Sequence, residues 1–128
     1  MCVVSLVPAG LVTRDVNAML EVRLYLAQRA SAAIMAPLVL IHLGVMIYAI
    51  QGGIDAAEIL ERTRGSFFWG ANYGLFVIAV SVHAAIGLRN ILREWLSLRG
   101  IYLSAISWIF FAGLLTAGLR AVAAVVLP

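Results

Sequence analysis

Lysine is absent from the 128 residues, cysteine occurs once, at Cys2, and acidic residues number six. A lone cysteine excludes an intrachain disulfide framework, a cysteine-bound iron–sulfur cluster and the paired-cysteine attachment of a c-type haem. All nine cations are arginines, the net charge is only +3, and no run of four basic residues occurs. Nucleic-acid binding needs a clustered basic footprint, so that class is set aside. The opening stretch from Met1 to Val12 lacks a basic start and a small-x-small cleavage pattern. It is therefore not read as a signal peptide, and Met19 is an alternative start.

What the chain has in abundance is apolar surface: 64% of residues are hydrophobic, 12% are charged, and the mean hydropathy is +1.05. A soluble domain of this length does not carry such a composition. A membrane span needs about 20 mostly apolar residues. Three stretches qualify, Ala30 to Ile50, Phe67 to Ile91 and Ile101 to Val126. The expected fold is an all-α membrane protein of three transmembrane helices over residues 25–127, with spans at 29–51, 68–93 and 101–125, after an N-terminal cytoplasmic segment at 1–24.

Punctuation refines this outline. The first helix is expected to begin at Tyr25 to Arg29, to carry Pro37, and to stop at the breaker pair Gly52-Gly53. Residues 54–63 alternate Ile54, Ala57 and Leu60 with Asp55, Glu58, Glu61 and Arg62, the pattern of a short amphipathic helix on the membrane surface. Phe67, Phe68, Trp69 and Tyr73 form an interfacial aromatic belt at one end of the second span, and Trp95 marks the other. Arg14, Arg23, Arg29, Arg89, Arg93 and Arg99 lie on one side, against Arg62, Arg64 and Arg120. The positive-inside rule puts the N-terminus and the second loop in the cytoplasm of an inner-membrane protein.

His42 and His83 are the only histidines, and each falls deep within an expected span. Ionisable groups there are costly and mark function. The competing reading is a neutral imidazole bonding a neighbouring helix, a contribution of about 1 kcal/mol. With no Asp, Glu or Lys inside any span, a proton or ion relay is disfavoured. Neutral imidazole is a strong axial ligand for haem iron.

On the second helix Asn72, Phe76, Ala79, His83, Gly87 and Asn90 share one face. Gly87, one turn from His83, lets a flat macrocycle approach the backbone. Arg89, and less so Arg93, is placed to pair with propionates, with snorkelling as the plainer role. Counting from the flanking arginines puts His42 and His83 at depths differing by about 5 Å. Unequal depths call for a partner ligand for each and two haems; equal depths permit one haem between the first two helices.

Two segments resemble the membrane anchors of succinate dehydrogenases and fumarate reductases. Gln28-Arg29-Ala30-Ser31-Ala32 is similar to that family's His-Arg-x-Ser-Gly opening of helix one, and His83-Ala-Ala-Ile-Gly87-Leu-Arg89 resembles its His-x-x-x-Gly-x-Arg haem motif. The resemblance covers Tyr25 to Val126. It implies a non-catalytic electron-transfer subunit that passes electrons between an iron–sulfur subunit and membrane quinone, while a flavoprotein carries the dicarboxylate chemistry. It further implies a second anchor subunit, or a second copy, completing a haem-binding helical bundle with one or two b haems. His83 would then be the proximal ligand, and His42, followed by Leu43, resembles the distal ligand of two-haem members. Arg29 and Ser31 match quinone-pocket positions; Trp95 is a third candidate, standing where the family often has tyrosine.

Departures are Gln28 for His, Ala32 for Gly, and Glu94-Trp95 after helix two. The other classes that fit are a cofactor-free structural or assembly protein and a small transporter subunit. The direction of catalysis, succinate oxidation or fumarate reduction, is open at this level.

Overall fold

The computed structural model describes residues 9–127. About 90% of the structure is helical, in four helices, and no strand occurs among the described residues. They are α1 (Ala9–Gly52), α2 (Ala56–Thr63), α3 (Phe67–Trp95) and α4 (Gly100–Val126). Three of them, all but α2, are long and apolar enough to cross a membrane.

Helix α1 starts at Ala9, well before the expected beginning at Tyr25 to Arg29. Nothing between Asp15 and Leu24 breaks a helix: Ala18, Met19, Leu20, Glu21, Arg23 and Leu24 are all good helix formers. Charge argues for a boundary there only if the charges lack partners, and Glu21 has two. Its 44 residues span about 66 Å at 1.5 Å per residue, about twice the hydrocarbon thickness. Since Glu21 lies level with Arg93 near the end of α3, the first turns of α1 project past the rest of the bundle. Pro37 is accommodated without interruption. At the other end Gly53 adopts φ +63°, and its N–H and that of Ile54 bond the carbonyls of Ile50 and Ala49. This is a Schellman stop, which a left-handed glycine permits.

Helix α3 is the centre of the bundle; α1 and α4 each pack against it. Both neighbours run antiparallel to it. Along α1 the contacts Glu21–Arg93, Gln28–His83 and His42–Phe76 keep a steady register. Along α4 the register is set by Gly118 against Val77 and Gly70 against Val126. A Cβ on Gly118 would stand 2.5 Å from Val77 Cγ1, so the close approach of the two backbones depends on the missing side chain. Without a hydrophobic drive between helices in lipid, such close packing holds the bundle together.

Helix α2 closes one end. Asp55 caps it by accepting from the Glu58 N–H at 2.8 Å, and Arg62 pairs with Glu58 at 2.7 Å on its exposed side. The last carbonyls of a helix have no intrahelical donors. Here the Thr63 hydroxyl donates to the Val125 carbonyl at 2.8 Å and the Gly65 N–H to the Val126 carbonyl at 2.8 Å. Thr63 is buried, with 5% of its surface exposed. Thr63→Val is therefore expected to destabilise the protein by about 1 kcal/mol, read as an earlier midpoint in detergent-titrated unfolding. Thr116→Val, whose hydroxyl bonds only its own helix, should shift that midpoint less.

Candidate functional site

The face of α3 that carries Phe76, His83 and Gly87 is turned to α1. His83 is half-buried against the middle of α1, where Ser31 Oγ lies 3.3 Å from its Nδ1 and Gln28 Nε2 lies 3.4 Å from its Nε2. The protons can be assigned from this network. Ser31 donates its hydroxyl proton to the Gln28 carbonyl at 3.0 Å, so it accepts from His83, and Nδ1 carries the hydrogen. Nε2 then presents a lone pair, met only by the long contact to the Gln28 amide. The Oε1 of that same amide is buried with no partner among the described residues, so Gln28 is weakly held.

That arrangement fits an axial ligand. A metal-bound imidazole uses one nitrogen and has its other N–H fixed by an acceptor, which sets tautomer and ring direction. Beside His83 is an open groove of about 400 Å³ along α1, lined by Ala32, Met35, Ala36, Val39 and Leu40. Ala32 and Ala36 leave it wide, and the nearest neighbour of a Cβ on Gly87 would be Gln28 Nε2 at 3.7 Å. Groups of three or more His, Cys, Asp or Glu that could hold a bare metal ion do not occur among the described residues.

His42 lies elsewhere. It is exposed on α1, stacked on Phe76 with ring centroids 6.2 Å apart and planes 14° from parallel, and it borders a different cleft with Tyr73, Val77, Gly118 and Val122. Phe76 is two helical turns from His83, about 10 Å along α3. The separation exceeds the 5 Å expected from the flanking arginines because Arg93 lies level with Glu21, eight residues before Arg29, so the two reference points are not at one depth. Two imidazoles on one iron need their nitrogens about 4 Å apart, given metal–nitrogen bonds of about 2 Å. His42 and His83 of one chain therefore cannot share a haem.

The arginines also part company. Arg89 and Arg93 both reach Glu21, at 3.3 and 2.7 Å, and Arg89 lines the α4 side of α3 while His83 lines the α1 groove. Arg29 is exposed, its guanidinium 5.7 Å from the centre of the Tyr25 ring. Trp95 is 83% exposed at the end of α3. Of the quinone-pocket candidates, only Ser31 is brought to His83. Glu21 was passed over in the sequence because it precedes the apolar run. The clue was its spacing of seven from Gln28, two turns along the face that meets α3.

Taken together, these features define a multi-pass helical membrane subunit with an imidazole poised at an interhelical groove. A family model, described as succinate dehydrogenase/fumarate reductase transmembrane subunit, matches residues 8–119. The chain belongs to that family, and so is a membrane anchor subunit that works with other subunits of such a complex. Comparison with curated proteins and with solved structures finds no match.

Proposed function

We propose that this anchor holds a b-type haem through His83 and connects an iron–sulfur subunit to membrane quinone, with the dicarboxylate chemistry on a flavoprotein partner. The observation that carries the reading is the pair of contacts at His83, Ser31 Oγ 3.3 Å from Nδ1 and the loosely held Gln28 amide 3.4 Å from Nε2, from which Nδ1 is assigned the proton and Nε2 the lone pair. Haem bound there would supply one-electron carrier chemistry, which no side chain of this protein offers. Ser31 fixes the ring and its tautomer. Gln28 withdraws from Nε2, and Ala32, Ala36 and Gly87 leave the space clear. A second ligand for that haem would come from a second anchor subunit or a second copy. Arg29 and Trp95 are assigned to the quinone side, and Ser31 to the histidine. The N-terminus and the arginine-rich end face the cytoplasm, in the inner membrane.

Succinate added to the assembled complex should develop the reduced b-haem band, and added quinone should discharge it. A complex whose haem answers neither reagent contradicts the proposal. His42 is assigned to a separate haem, so His42→Ala should leave the His83-dependent band intact in a reduced-minus-oxidised spectrum. Loss of all haem from that variant would show that the two sites are not independent. The same contacts also suit a cofactor-free anchor in which His83 only bonds α1 to α3; that reading requires a colourless complex.

A further inference from the structure

A second cleft, of about 360 Å³, opens between α1, α3 and α4 on the side of α3 that carries Arg89. Its walls are almost wholly apolar, with Leu24 from α1, Val82 and Ile86 from α3, and Trp108 from α4. Its one charged lining residue is Arg89. The guanidinium gives Nη2 to Glu21 at 3.3 Å, while its Nη1 is buried with no hydrogen-bond partner among the described residues. A buried donor left unmet is costly, more so when it is charged.

Charge counting sharpens the point. Among the described residues Glu21 is the sole carboxylate paired with Arg89 and Arg93, so these three side chains together carry one positive charge. Arg89 is six residues from the end of α3, about 9 Å by helix rise, within reach of the headgroup layer. Ser104, on the α4 wall, adds an exposed hydroxyl. Basic pockets between transmembrane helices near this depth select anionic headgroups.

We propose that the cleft between α1, α3 and α4 binds one anionic phospholipid, its phosphodiester completing the Glu21–Arg89–Arg93 charge set and an acyl chain lying along Leu24 and Trp108. A phosphodiester whose headgroup carries no ammonium brings the net single negative charge that the cluster lacks, whereas a choline headgroup returns a positive charge beside it. A neutral quinone headgroup would leave the surplus charge uncompensated. The site is independent of what His83 holds.

Trp108 lines the cleft and is 69% exposed to the surrounding bilayer, so the difference between an anionic and a zwitterionic quencher, rather than quenching itself, reports on the occupant. The full chain, with Trp69→Phe and Trp95→Phe to isolate that signal, is reconstituted in phosphatidylcholine vesicles containing dibrominated phosphatidylglycerol or dibrominated phosphatidylcholine. Quenching of Trp108 by the anionic lipid should reach its midpoint at about a fivefold lower mole fraction. Arg89→Gln should abolish that preference, whereas Glu21→Gln, which leaves two positive charges, should enlarge it. The opposed signs separate charge selection from misfolding, which would weaken both variants alike. Equal quenching by the two lipids, or none by either, overturns the proposal. So does release of quenching by added quinone without any dependence on lipid charge, which would assign the cleft to quinone.

Discussion

His83→Ala should strip the His83-dependent b haem from the complex, erasing its band in the reduced-minus-oxidised spectrum while the subunits still co-purify. On the proposed assignment, replacing the imidazole would remove an iron ligand outright, whereas its hydrogen bonds to α1 hold the helices by only about 1 kcal/mol. The α1–α3 register also rests on Glu21 with Arg89 and Arg93, and on His42 against Phe76, so the bundle does not depend on this one residue. Ser31→Ala is the graded companion. It leaves Nε2 free for the proposed ligation but removes the acceptor from Nδ1–H, and losing the hydrogen bond that orients a ligating imidazole weakens metal retention by about 10-fold to 100-fold. A His83→Ala complex with its full haem content would remove the ligand assignment.

The largest effect on stability is expected at Gly118. An added Cβ would meet Val77 at 2.5, 3.0 and 3.3 Å from Cγ1, Cγ2 and Cβ, and a β-branched side chain on a helix has no second rotamer to retreat into. Gly118→Ala should therefore lower stability by about 1–3 kcal/mol. Gly74→Ala makes the contrast, because nothing lies within 4 Å of its Cβ position. There the gain in helix propensity, up to about 1 kcal/mol, should leave stability unchanged or raised. Val77→Ala in the Gly118→Ala background should recover most of the loss, as a coupled pair must. Detergent-titrated unfolding followed by circular dichroism measures all three.

The three apolar helices were legible because bilayer thickness imposes a length and composition that no soluble helix of this chain would share. Gly52-Gly53 announced the end of α1 through the left-handed turn that Gly53 supplies. The early start of α1 was not legible, since Glu21 and Arg23 look like a polar boundary until Arg89 and Arg93 are seen to pair with Glu21 across the helix interface. His83 stood out through cost alone: an ionisable side chain at that depth needs a reason. Its relation to Ser31 and Gln28 depends on an antiparallel register that one chain of residues does not state. The same holds for Arg89, which a heptad of sequence joins to His83 and a helical turn carries round to the other side. Gly118 gave no warning, because a glycine in an apolar run looks the same whether its side is open or pressed against Val77.

The most direct test is a pyridine haemochrome assay on the complex purified through this chain, with flavin and iron–sulfur content measured on the same sample. A b-type haem in stoichiometric amount, low-spin and lost on His83→Ala, is the expected result. A fully assembled complex that carries flavin and iron–sulfur clusters but no haem would contradict the account.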